Sequence, residues 1–172
     1  KRVVEGMNGH IEVESEPGIG TKFTLNLPLT LLIATALLVR VGTEKYAIPL
    51  LSIQEVTMPT PSSVREEGDR TFLQINEQIV AIHSLHHILR REPGVVDWTM
   101  PVVIVRTGGA TMGLAVDELL GRQEIVVKPL GPLKALEHSC FGGATIDPEG
   151  RVVLVIDPNR LTTRELKESV AH

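Results

Sequence analysis

Three histidines stand close together, His83, His86 and His87, and imidazole is the commonest side-chain metal ligand. On a helix, His83 and His87 at i, i+4 would share a face and could ligate zinc. No carboxylate or cysteine stands at ligand spacing on that segment, and His83 reads as the end of a strand. The cluster therefore reads as a solvated helix face with one partly buried imidazole, and no metal site is expected. Cys140 follows His138 and Ser139, an order that suggests nucleophilic catalysis. Such chemistry needs an oriented base and an oxyanion site, and neither is evident, so the thiol reads as incidental. Asp117-Glu118 and Gln123-Glu124 flank Gly121 and could supply an acid and a base. They read instead as a surface loop that positions the chain around it. Gly18-x-Gly20-Thr21 would let backbone N–H groups approach an anion, but no Gly-Lys-Ser/Thr follows and no helix opens there. It reads as a turn, and no catalytic residue is assigned.

The elements that would position these groups come in two copies. A shift of 66 places Leu38-Val39-Arg40-x-Gly42 on Ile104-Val105-Arg106-x-Gly108, Ile48 on Leu114, Leu50 on Val116 and Ile53 on Leu119. A shift of 73 places Val80 on Val153, Ile82 on Val155 and Ile88 on Leu161. Two copies of one unit, each too small to bury much alone, imply two similar lobes packed on one another. Strands are expected at 36–42, 45–51, 71–75 and 78–83, then at 102–106, 112–116, 125–127, 142–146 and 152–156. A short helix is expected at 84–91, and a last helix from Asn159. Thr57–Ser63 holds two prolines and reads as a loop. Short strands at this spacing with Gly/Pro turns argue for small barrels. Before them, His10–Ser15 and Thr21–Leu27 alternate as a hairpin, preceded by the end of a helix closed by Asn8-Gly9.

Bulk properties narrow the function. The 172 residues carry a net charge of −4 with a pI near 5.9, so nucleic acid and acidic membranes are unlikely partners on electrostatic grounds. Aromatics are only 3% of residues, so the core must be aliphatic. The apolar run 27–39 is broken by Pro28, Thr30 and Thr35 and falls short of the roughly 20 residues a bilayer span needs. One cysteine and no secretory leader suit a reducing, cytoplasmic setting.

Gly9–Thr30, with His10-Ile-Glu-Val-Glu and Gly18-Ile-Gly-Thr-Lys-Phe, resembles the end of the ATP-binding domain of chemotaxis-type histidine kinases. Ala36-Leu-Leu-Val, Tyr46-Ala-Ile-Pro, Asp117-Glu-Leu-Leu-Gly-Arg-Gln-Glu and Gly143-Ala-Thr-Ile resemble the regulatory domain of the kinase CheA, homologous to the free adaptor CheW. The resemblance implies a mainly β fold of two pseudo-symmetric five-stranded barrels, preceded by the remnant of an α/β ATPase domain. Residues 1–28 would be that remnant, 29–35 a linker, and 36–172 the regulatory domain, with lobe one at about 36–95 and lobe two at about 96–160. It implies a parent protein that phosphorylates its own histidine with ATP and Mg, dimerises through an absent domain, and reaches response regulators. Gly18, Gly20 and Thr21 would then lie near that nucleotide, while this segment binds no cofactor itself. Its partners would be a CheW-type adaptor and the cytoplasmic tip of a chemoreceptor. A free-standing adaptor is the alternative, and a small-molecule barrel a further rival, although barrels this small are filled by side chains.

One pattern bears on docking. In Tyr46–Leu51 both faces are apolar, so one face must be covered by more than its own barrel. The cover is either the other lobe or a partner. The partner reading places a docking face at Leu50, Ile53, Glu55 and Val56, with repeat-related counterparts at Val116, Leu119, Glu124 and Ile125.

Overall fold

The computed structural model describes residues 4, 10–18, 20–26, 32–68, 70–89, 100–108, 110–130 and 140–161. The helix end expected at 1–9 and the helix beyond Leu161 lie outside the described residues. The first hairpin forms as its alternation requires. Strand β1 (His10–Glu16) pairs antiparallel with β2 (Gly20–Asn26), with Ile11 opposite Leu25 and Val13 opposite Phe23. The turn between them includes Gly18 at φ 80, and no other sheet joins this ribbon among the described residues.

The duplicated part supplies eleven strands: β3 (Leu32–Val41), β4 (Glu44–Pro49), β5 (Ile53–Thr57), β6 (Val64–Glu67), β7 (Arg70–Ile75), β8 (Gln78–Ser84), β9 (Val102–Thr107), β10 (Ala110–Ala115), β11 (Glu118–Val127), β12 (Phe141–Ile146) and β13 (Val152–Ile156). One helical turn, α1 (Leu85–Ile88), follows β8, and a 3-10 turn at Pro158–Arg160 follows β13. Three expectations change here. Residues 32–35, read as linker, begin β3. The loop read around Gly121 is the ten-residue strand β11, because nine of its residues pair with β3 and a bulge at Leu120 absorbs the glycine. The strand end at 50–51 is instead a 3-10 turn, Leu50–Ser52, and the chain resumes as β5.

The strands sort into a five-stranded sheet, β11-β3-β4-β13-β12, and a six-stranded sheet, β5-β9-β10-β8-β7-β6. Repeat-related strands occupy the same places in each. An edge strand pairs antiparallel with the first strand of a hairpin, whose second strand runs parallel to the strand before a helical turn. Yet each sheet takes its hairpin from one copy and the remainder from the other. Hairpin β3–β4 joins β11, β12 and β13, while β9–β10 joins β5 to β8.

The expectation of two closed five-stranded barrels is corrected. A barrel needs a ladder between its first and last strands. In the five-stranded sheet the edges meet at one antiparallel bridge, where Lys128 and Ala144 exchange two hydrogen bonds of 2.8 Å. In the six-stranded sheet no ladder joins β5 to β6 among the described residues.

Among the described residues, three apolar clusters form the core. Ala36, Leu38, Ala47, Val153 and Val155 lie on one face of the five-stranded sheet, and Leu73, Val80, Ile82, Val102 and Ile104 on one face of the other. The largest lies between the sheets and joins Val39, Tyr46 and Ile48 to Val103, Val105, Leu114 and Val116. Repeat-related residues therefore sit in related places: Leu38 and Ile104 in the two sheet cores, Ile48 and Leu114 in the shared one. The two apolar faces of β4 are explained: Ala47 faces its own sheet's core, and Tyr46 and Ile48 are covered by the other sheet.

Candidate functional site

The turn of each repeat-related hairpin is held by the segment that follows a strand of the other sheet. Gly42 adopts φ 62 between β3 and β4, a conformation glycine enters without strain. Its N–H donates to Asp117 Oδ2 at 2.6 Å, and the Asp117 N–H donates to the Arg40 carbonyl at 3.0 Å. The other carboxylate oxygen accepts from His86 Nε2 on α1 at 2.8 Å. The opposite ring nitrogen, Nδ1, is buried without a hydrogen-bond partner among the described residues. A shift of 73 carries His86 onto Asn159, whose Oδ1 accepts from the Gly108 N–H in the second hairpin turn at 3.1 Å. Thus α1 latches one hairpin and the 3-10 turn latches the other.

His83, His87 and Cys140 lie on β8, on α1 and just before β12. His83 lies half-buried near the end of β8, and burial, with Arg70 nearby, pushes its pKa down. His87 is half-buried on α1. Cys140 is buried in the core between the sheets, and His138 and Ser139 lie outside the described residues. Gly18, Gly20 and Thr21 are in the β1–β2 hairpin, where the Thr21 hydroxyl meets that of Ser15 at 2.9 Å.

A buried carboxylate that sequence reading missed lies at the β12–β13 turn. Asp147 accepts from the N–H groups of Glu149 (3.1 Å) and Arg151 (2.8 Å), from Arg151 Nε (3.1 Å) and from Lys45 Nζ (3.2 Å). Burial alone would raise its pKa. The Arg151 N–H and the bonds involving Glu149, Lys45 and Arg151 outweigh burial and hold it well below the usual carboxylate range. The depressed folded-state pKa means this contribution is present above the ordinary value of 3.8 and is lost as pH falls through the folded value. Asp147→Asn is expected to lower Tm at neutral pH, with the gap to the parent narrowing as pH falls below 3.8. A gap independent of pH, read by calorimetry, would show that the charge contributes nothing.

Seven of the eight residues expected to dock a partner lie on, or lead into, two edge strands. Leu50, Ile53, Glu55 and Val56 run into and along β5 in the six-stranded sheet, and Leu119, Glu124 and Ile125 lie on β11 in the five-stranded one. Glu55, Val56 and Glu124 are exposed. Leu50, Ile53 and Leu119 are half-buried against the core between the sheets. Val116 and Ile125 are corrected as docking residues, because Val116 is fully buried in that core and Ile125 in the five-stranded sheet's own. The shift of 66 had matched Leu50 to Val116 by sequence without showing that Val116 precedes the bend into β11 and points inward.

The fold is thus two latched, repeat-related sheets, and the CheW-like domain family matches residues 35–166. The chain belongs to the CheW-like domain family. Among curated relatives, the sensor histidine kinase CheAY of Helicobacter pylori is 33% identical over 159 residues, 91% of this chain and 20% of that protein. The chemotaxis protein CheA of Borreliella burgdorferi is 33% identical over 164 residues, 94% of this chain and 19% of that protein. The chemotaxis protein CheA of Bacillus subtilis is 32% identical over 162 residues, 94% and 24% respectively. The chain thus spans about a fifth to a quarter of these relatives and is homologous to their CheW-like region. The crystal structure of the scaffolding protein TtCheW from Thermoanaerobacter tengcongensis shares the fold at a TM-score of 0.58 and 15% identity, over 73% of this chain and 89% of that one. No helix among the described residues of this CheW-like chain is long and apolar enough to cross a membrane.

Proposed function

We propose that this chain is the receptor-coupling region of a chemotaxis histidine kinase, and that it acts by binding a CheW-type adaptor and the chemoreceptor tip rather than by chemistry of its own. The observation that carries the reading is the reach of the kinase matches. They cover 91% and 94% of the chain, whereas the CheW-like domain begins only at residue 35. A free-standing adaptor would leave the match of the β1–β2 hairpin to kinases without a reason. In this reading residues 1–28 end an ATP-binding domain, Gly18, Gly20 and Thr21 lie near its nucleotide, and ATP and Mg belong to the parent enzyme. The exposed apolar face of Val13, Phe23 and Leu25 then packs on that domain. The parent works in the cytoplasm, dimerises elsewhere and passes phosphate to response regulators.

Docking of the adaptor uses the edge strands, with Glu55 and Val56 on β5 and Glu124 on β11, and with Leu50, Ile53 and Leu119 supporting them from beneath. An aspartate at an exposed apolar contact leaves an unpaired charge in the desolvated interface. Val56→Asp is therefore expected to abolish adaptor binding in a pull-down while moving the unfolding free energy by less than about 0.5 kcal/mol, the usual range for surface changes. Undiminished binding by a folded Val56→Asp variant would remove β5 from the docking surface.

A further inference from the structure

The two sheets use repeat-related strands in the same order, yet among the described residues only one draws its edges together. The ten-residue β11 leads directly into Lys128, which bridges to Ala144 on the opposite edge strand, β12. Its counterpart β5 has five residues, and its outer backbone groups meet no ladder among the described residues. The gap leaves a cleft of about 400 Å3 between β5 and the β7–β8 turn. Val80 and Ile104 supply its apolar floor, and Gln54, Glu55, Glu77 and Gln78 its polar mouth.

The lining is specific to this copy of the repeat. Gln54 stands at the bulge of β5, as Leu120 does at the bulge of β11 66 residues later. A bulge re-aims a side chain, and here the residue is an amide where its counterpart is leucine. Turned with its oxygen toward Arg106, Gln54 accepts from that guanidinium at 3.1 and 3.0 Å and holds the nearby cation. Glu55 and Glu77 make no ion pair among the described residues.

We propose that this cleft docks an extended basic segment of a partner protein, which adds a strand to the free edge of β5 and lays an arginine or lysine between Glu55 and Glu77. Strand addition satisfies the open backbone groups, and alternate side chains of the guest enter the adjoining pocket. A long cationic side chain suits that pocket, because its methylene stem covers Val80 and Ile104 while its head meets the carboxylates. Val56 and Met58, exposed beside the edge, extend the apolar contact for the guest's other residues. The proposal deepens the docking reading of β5 by naming the partner's chemistry, and it rests on that reading there alone.

The test titrates the isotope-labelled chain with two blocked hexapeptides, one alternating valine with arginine and one alternating valine with glutamate, followed by amide NMR. Saturable shifts confined to residues 53–57 and 75–78 are expected with the arginine peptide and none with the glutamate peptide. The Glu55→Gln/Glu77→Gln variant should keep its melting temperature and bind the arginine peptide about fivefold to tenfold more weakly, as expected for two partly exposed charge pairs. Equal response to both peptides, shifts centred on β11, or unchanged affinity in the double variant would overturn the cleft. Val56→Asp in an adaptor pull-down separates the two readings. Full adaptor binding by Val56→Asp, with arginine-peptide shifts still on β5, sinks the adaptor reading and leaves the cleft standing.

Discussion

Ile48→Ala is expected to lower the unfolding free energy by about 2–5 kcal/mol, the range for emptying a well-packed aliphatic site. Ile48 is fully buried, on β4, in the cluster between the sheets, and its repeat counterpart Leu114 lies in the same cluster from the other sheet. Neither sheet can close over the space alone, because each would have to bend its hairpin toward the other. The loss should therefore be shared. Urea titration followed by amide signals from both sheets is expected to give one coincident transition at a lower midpoint. If the five-stranded sheet melted separately from the six-stranded sheet in Ile48→Ala, the central cluster would not be what makes the molecule cooperative.

Gly143→Ala is expected to cost about 1–3 kcal/mol, a typical penalty for forcing an extra methyl into a packed site. A Cβ built there would lie 2.6 Å from Val127 Cγ1 and 2.8 Å from the Lys128 carbonyl oxygen. The Val127 methyl could shift, but the carbonyl belongs to the bridge that joins β11 to β12. Relief of the clash must move that bridge. Amide exchange at Lys128 and Ala144 should accelerate well beyond that at β9 and β10, because local opening is cheaper than global unfolding. Uniform acceleration across both sheets would show that the bridge is not an independently opening unit. By contrast, alanine at Gly113, whose nearest neighbour is the Val102 side chain at 2.7 Å, disturbs only the six-stranded sheet's core.

Much of this architecture is legible without coordinates. Alternation at 10–15 and 21–27, turn glycines at Gly18, Gly42 and Gly108, and apolar spacing at 71–75 and 78–83 each specify a local structure that neighbouring residues complete. The repeat at 66 and 73 carries the pseudo-symmetry, because matching side chains must solve matching packing problems. The double apolar face of Tyr46–Leu51 also shows, by itself, that β4 is covered on both sides.

What covers β4, and which hairpin joins which sheet, was decided only by tertiary structure. Residues 36–41 and 102–107 carry nearly the same pattern, so their sequence cannot say whether a hairpin pairs with its own copy's strands or the other's; ladders between β3 and β11 and between β9 and β5 make that choice. The 118–124 part of β11 is hidden in the sequence because its polar residues and Gly121 resemble a loop until β3 supplies backbone partners. Asp147 looked like an ordinary turn residue, since Lys45, which helps neutralise it, stands 102 positions away. Val116 and Leu50 match in the repeat yet differ in exposure, because burial depends on which sheet arrives above each side chain. The seam that opens beside Glu55 and closes beside Ala144 is likewise a matter of strand length in three dimensions, and no periodicity in the chain encodes it.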